Sequence, residues 1–197
     1  MIPSLRQTLL LVGGCIILGL GVAMLLAADL GSDGFSTLVN GISIATGIDF
    51  WIINLAVGVV FVAMAALRHV RPGPGTVVQV VLVGIVVSVG LDLVATPDSL
   101  VGRGLLLAAA FPVLTIGISG YLGSHSGAGP AEAAALAWDP PIAFKWTYSG
   151  VQAGGALVGW LLGATVGVGT LAVILLLGPG VDLTSRLLRL DVHQARD

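Results

Sequence analysis

The side chains able to do chemistry in this chain are few, and most carry no charge. Two Gly-rich breaks hold one acid each: "LGSDGFSTL" contributes Ser32, Asp33 and Ser36, and "SGAGPAEAAAL" contributes Gly129, Pro130 and Glu132. Ser32 and Asp33 can cap a helix over Phe35–Ile44. Gly129, Pro130 and Glu132 supply a cap, a first-turn proline and an acid at the third position of another. Helix starts of this kind turn N–H groups and partial positive charge outward, which suits an anionic or polar solute. Asn54, Ser149 and Gln152 lie early in apolar stretches. There a carboxamide can orient a solute without the cost of a buried charge, or act as interhelical glue of about 0.6 kcal/mol. Asp92 and Asp182 fall at matching helix ends, as solvated termini or as paired gates.

Catalysis is not expected. "GISG" at 117–120 has the form of an intramembrane serine-protease motif, but a serine nucleophile needs a histidine base within hydrogen-bond reach. His69 and His125 fall at the ends of apolar runs and His193 in the tail, so Ser119 reads as a small packing residue between Gly117 and Gly120. The lone Cys15 excludes an internal disulfide. It follows a loose lipoprotein-like "LVGGC", but the apolar run continues past it, so it reads as a plain buried thiol. No Cys/His cluster suggests a metal, no glycine loop followed by Lys suggests a phosphate cofactor, and no basic stripe suggests nucleic acid.

The elements that must position these residues cross a membrane. Hydrophobic residues make up 56% of the chain and charged residues 9%, against about 25% charged in soluble domains. Mean hydropathy is +1.06. Apolar runs predict six spans, over Thr8–Ala28, Phe50–Leu67, Thr76–Ala95, Gly104–Gly123, Tyr148–Val168 and Thr170–Leu188. The last is the weakest, interrupted by Gly178-Pro179-Gly180 and Asp182. The first run is too long for the core of a signal peptide and is expected to be retained. With the N-terminus in the cytoplasm, Arg6, Arg68, Arg71, Lys145, Arg186, Arg189 and Arg196 lie inside and only Arg103 outside, which predicts that both termini are cytoplasmic. Membrane lipid is the expected surrounding partner, with Arg186–Arg189 as a headgroup anchor.

The chain also repeats itself. "GPGT" at 73–76 returns as "GVGT" at 167–170, and Gly84 and Gly178 each follow eight residues later. Gly31 and Gly127 pair likewise, each directly after a long apolar run. The predicted fold is therefore an all-α polytopic membrane protein of two three-helix units, residues 1–97 and 98–197. Each unit carries a Gly-rich break with a short re-entrant helix. Three spans per unit turn the second copy upside down, the ground plan of many secondary transporters. Gly155, Gly159, Gly163 and Gly167 form a stripe at four-residue spacing, suited to close approach of the sixth helix, the second helix, or the same stripe in a homodimer. Leucine at Gly159 is expected to damage packing far more than leucine at Ala164, placed on the opposite side of that helix.

"SGAGPAEAAAL", "GWLLGATVGVGTLAVILLLGPGVD" and "ADLGSDGFSTLVNGIS" resemble segments of the YczE/YyaS/YitT-type bacterial membrane proteins, and the likeness covers nearly the whole chain. It implies a six-helix inner-membrane protein with a transport role. Glu132 keeps that family's acid in the second break. Gly34-Phe35-Ser36 stands where members carry a Pro and an Asp, and Tyr148 and Gln152 where they carry an Arg and a Glu. The expected function is a permease for a small solute. The alternatives are a non-transporting accessory protein or the substrate-binding subunit of a larger uptake complex.

Overall fold

Capping residues written into the sequence start most of the helices. Ser4 Oγ accepts from the Gln7 N–H while Gln7 Oε1 accepts from the Ser4 N–H at 2.8 Å, which opens α1, Leu5–Ala27. Asp33 caps α2, Gly34–Thr46. After α3, Phe50–Leu67, Pro74 occupies the first turn of α4, Pro74–Leu93. Ser99 caps α5, Leu100–Leu122, through the Gly102 N–H at 3.0 Å. Pro130 opens α6, Pro130–Leu136, and α7, Phe144–Leu161, and α8, Val168–Leu188, complete the chain. The computed structural model describes residues 4–70, 72–138, 141–142 and 144–190, and among them all regular structure is helical.

Five helices, α1, α3, α4, α5 and α8, are long and apolar enough to cross a membrane. Their outer faces carry bare leucines such as Leu67, Leu93 and Leu105, which water would penalise and lipid accepts. This is a membrane-embedded helical protein. The weak member is α7, not α8: Lys145, Tyr148, Gln152 and four glycines dilute its hydropathy. By contrast, α8 runs unbroken through Gly178-Pro179-Gly180, with Pro179 inside it.

Helix α1 packs on α4 and α5, and α5 on α8. The short α2 lies on α7 and α3, and α6 lies on α3 and α7. The core sits at the α1–α5 crossing, around Cys15, Leu18, Leu25, Leu114 and Tyr121. Glycines permit that crossing: a Cβ on Gly117 would lie 2.6 Å from the Leu18 Cα, and one on Gly14 would lie 2.9 Å from the Gly117 carbonyl oxygen. Ser119, buried beside Gly117 and Gly120, donates to the Val181 carbonyl at 3.4 Å. It packs the α5–α8 contact.

The glycine stripe of α7 is spent inside the chain. A Cβ on Gly155 would meet the Gly34 carbonyl carbon at 2.9 Å, and one on Gly159 the Thr37 carbonyl carbon at 2.5 Å. The neighbour is thus α2, an element absent from the three expected partners, and this face is closed to a second subunit. Gly163 lies beyond the helix end at φ +102°, exposed, and Ala164 is buried there rather than on an opposite helix face. Burial makes Ala164 unsuitable as the tolerant control.

The repeated Gly-Thr phrase has a physical role: each copy holds the break of the other half. In the first copy Thr76 Oγ1 donates to the Ala128 carbonyl and the Gly75 N–H to the Ser126 carbonyl, both at 2.7 Å. In the second, the Gly169 N–H donates to the Leu30 carbonyl at 2.7 Å. Gly31 and Gly127, at φ +97° and +132°, press against the Thr170 and Thr76 hydroxyls, a backbone conformation and a closeness that a side chain would not allow. The second echo is not equivalent. Gly84 makes room for the Asn54 carboxamide, whereas Gly178 has open space beside it.

Candidate functional site

The two breaks converge on one internal cavity. Asp33 Oδ1 accepts the Ser36 N–H at 3.0 Å, and its carbonyl accepts the Thr37 N–H at 2.8 Å. The first N–H of α2, on Gly34, donates to Gln152 Oε1 at 2.6 Å. Gln152 Nε2 in turn donates to the Tyr148 hydroxyl at 2.9 Å. Across from them the first turn of α6 presents Pro130, Ala131 and Glu132. Asn54 reaches in from α3 with Nδ2 donating to the Val80 carbonyl at 2.6 Å, and Gln79 comes from α4.

The cavity is partly open and holds about 70 Å³. A water needs roughly 10–15 Å³ by this measure, so the cavity suits a few waters or one small solute. Its polar wall is Asp33, Ser36, Asn54, Gln79, Glu132, Tyr148 and Gln152. Phe35, Phe50, Val87, Leu114 and Leu177 are among the apolar residues that complete it. Among the described residues the lining holds two carboxyls and no Lys, Arg or His. The positive end of α2 is already met by Gln152 and by Asp33 itself, and α6 is a single seven-residue helix. Two carboxyls with no lining cation make this space less favourable to an anion than the helix starts alone suggest.

Asp33 and Glu132 lie on the short segments between the long helices. Burial is the main cause that raises both carboxyls above their ordinary values. For Asp33 the Ser36 hydrogen bonds oppose it. For Glu132 its own backbone N–H opposes it, while the Asp33 charge adds to the rise. Raised values mean that the fold prefers the protonated forms. The stability from that preference is complete in acid and is lost as pH climbs through the raised values.

Of the residues singled out from sequence, Asp33, Ser36, Asn54, Glu132 and Gln152 come together at the cavity. Gly129 sits behind them, where a Cβ would be 2.6 Å from Glu132 Oε2. Ser32 is turned away: its hydroxyl is 2.8 Å from Thr37 Oγ1 and ties the start of α2. Ser149 is exposed and outside the lining, because α7 points its 148 and 152 positions inward. Asp92 is exposed at the end of α4 and outside the lining, and the side chain of Asp182 lies outside those described. Tyr148, Gln79, Phe35 and Phe50 were missed. Gln79 was detectable as a polar side chain inside a span, and Tyr148 as the residue one helical turn before Gln152.

A family model described as a family of unknown function, DUF6198, matches residues 5–186 of the chain. An uncharacterised protein of Haemophilus influenzae is 27% identical over 157 residues, covering 78% of this chain and 72% of that protein. No solved structure matches.

Proposed function

For a chain that belongs to the DUF6198 family, we propose a secondary-transporter-like permease of the bacterial cytoplasmic membrane, with both termini inside and its solute site in the cavity between two inverted halves. The observation that carries this reading is the meeting of Asp33 and Ser36 from one break with Ala131 and Glu132 from the other around one cavity. Gly-rich breaks at corresponding places in two halves are where such proteins bind their solutes.

The neighbour scheme supports the inverted repeat. Exchanging α1–α4 for α5–α8 turns the α1–α4 contact into α5–α8, α2–α7 into α6–α3, and α2–α3 into α6–α7, and leaves α1–α5 unchanged. A two-fold relation between the halves produces that pattern, and the cross-held breaks follow it. With α7 as the sixth crossing, each half has three spans, in keeping with the resemblance to YczE/YyaS/YitT-type proteins. Rocking would turn on the two Gly-Thr corners, since α8 has no break to serve as a hinge. The burial of the α7 stripe leaves that face with nothing to offer a larger complex, which weighs against the subunit and accessory readings.

Alternating access is testable without knowing the solute. Ser36→Cys, in a Cys15→Ala background, places one thiol in the cavity wall. A small thiol reagent should modify it when added from either side of the membrane. Reaction from one side only would overturn the permease reading.

A further inference from the structure

We propose that this cavity binds a small alkylammonium ion, which takes the place of one of the two protons held by Asp33 and Glu132. The inference rests on the permease reading of the same site and names the class of its solute. Three observations carry it. The two carboxyls face one space from opposite halves, close enough for their charges to interact. Among the described residues no cationic side chain lines that space to neutralise them. The Tyr121 hydroxyl, on a side chain only 1% exposed, ends beside Gly129 and Glu132 without a hydrogen-bond partner.

A buried hydroxyl left unpaired is costly unless some state of the site uses it. Ionised Glu132 is such a state, because a carboxylate accepts from a neighbouring phenol more strongly than a neutral acid does. Burial raises both carboxyls and the charge of Asp33 raises Glu132 further, so with no cation present the site keeps both protons. An entering cation supplies one positive charge, Glu132 ionises against it and Tyr121, and the displaced proton leaves to water on the open side. When the cation departs the pair takes a proton back. Net charge in the cavity is zero in both states, and the exchange is one cation for one proton. The other groups facing the pair are Tyr148 from α7, Gln79 from α4 and Asn54 from α3. The lining from α1, α5 and α8 is apolar. Those walls, with Phe35 and Phe50, favour an ion with an alkyl body.

The test is calorimetric titration of the detergent-purified protein with propylammonium, 1-propanol and propionate from about pH 5.5 to 8, where a primary ammonium keeps its charge. Propylammonium should bind alone of the three. Its affinity should rise up to tenfold per pH unit, with about one proton released per ion, read from buffers of different ionisation enthalpy. Glu132→Gln should abolish the release and the pH dependence, and Tyr121→Phe should shift the pH curve upward without lowering the limiting affinity. Asp33→Asn keeps the helix cap and leaves Glu132 free to ionise, so it should retain the release of about one proton per ion, and its loss there would overturn the assignment of the exchange to Glu132. Equal binding of propanol or propionate, or ammonium binding without proton release, would overturn the proposal and leave the solute site standing. No binding of any probe, with Ser36→Cys reachable from both sides, would overturn the proposal alone. One-sided reach would remove the permease reading beneath it.

Discussion

Replacing Gly159 by alanine tests the closest helix contact in the second half of the molecule. The added Cβ would stand 2.5 Å from the Thr37 carbonyl carbon and 2.8 Å from the Leu38 nitrogen, both backbone atoms of α2. A flexible side-chain tip could move aside, but a helix backbone held at Gly34 by Gln152 cannot move without opening the cavity. Overpacking in a filled interior costs about 1–3 kcal/mol, and the absence of any yielding neighbour puts Gly159→Ala at the upper end. At roughly 2–4 °C per kcal/mol for a chain of this size, the melting temperature should fall by about 6–12 °C. Gly154→Ala is the matched control, because Gly154 lies on the same helix with nothing near its Cβ position. There alanine's better helix propensity, worth about 1 kcal/mol, should leave melting unchanged or slightly raised. The assay is thermal unfolding in detergent followed by tryptophan fluorescence, since Trp146 and Trp160 sit on α7 itself. Melting of the two variants within about 2 °C of each other would refute the direct backbone packing of α7 on α2.

Two further outcomes follow from the architecture. Thr76→Val removes the donor to Ala128 and the acceptor for the Gly73 N–H at a buried corner, and should cost about 1–3 kcal/mol in urea or thermal unfolding. Thr170→Val should cost less, because its hydroxyl makes only a 3.5 Å contact with the Gly167 N–H, and a reversed order would sink the account of the corners. Asp98→Cys, in the exposed turn before α5, should label from outside intact cells with a membrane-impermeant thiol reagent. Labelling only after permeabilisation would invert the topology and remove the basis for cytoplasmic termini.

Much of this molecule was legible in the chain itself, because the properties concerned are local. Hydropathy over some 20 residues marks a helix that lipid can accept, and five of the six expected spans appear with closely similar bounds. Caps are equally local: a carboxylate three residues before an N–H reaches it in one turn, so Asp33 caps its helix as the residues around it indicate, whereas Ser99 starts α5 four residues ahead of the expected Gly104. The recurrence of Gly-Thr and of Gly31 and Gly127 was visible as spacing, and the breaks holding Asp33, Ser36 and Glu132 meet at one cavity.

What the spacing did not contain was the partner of each repeated element. A glycine stripe states that something approaches closely, and only the packed chain decides that it is α2, with Gly34 and Thr37 against Gly155 and Gly159. The Gly-Thr phrase likewise says nothing of the other half's break, because Thr76 and Ala128 are 52 residues apart and their hydrogen bond exists only after both halves dock. Side-chain direction was the second unknown. On α7 the same four-residue period serves Tyr148 and Gln152 facing the cavity, while Ser149 one position on faces outward, and the sequence weighs the three alike. Sign was the third. Helix starts read in isolation promise positive potential, and it was the tertiary arrangement that satisfied the N-terminus of α2 with Gln152 and set two half-buried carboxyls in the space it faces.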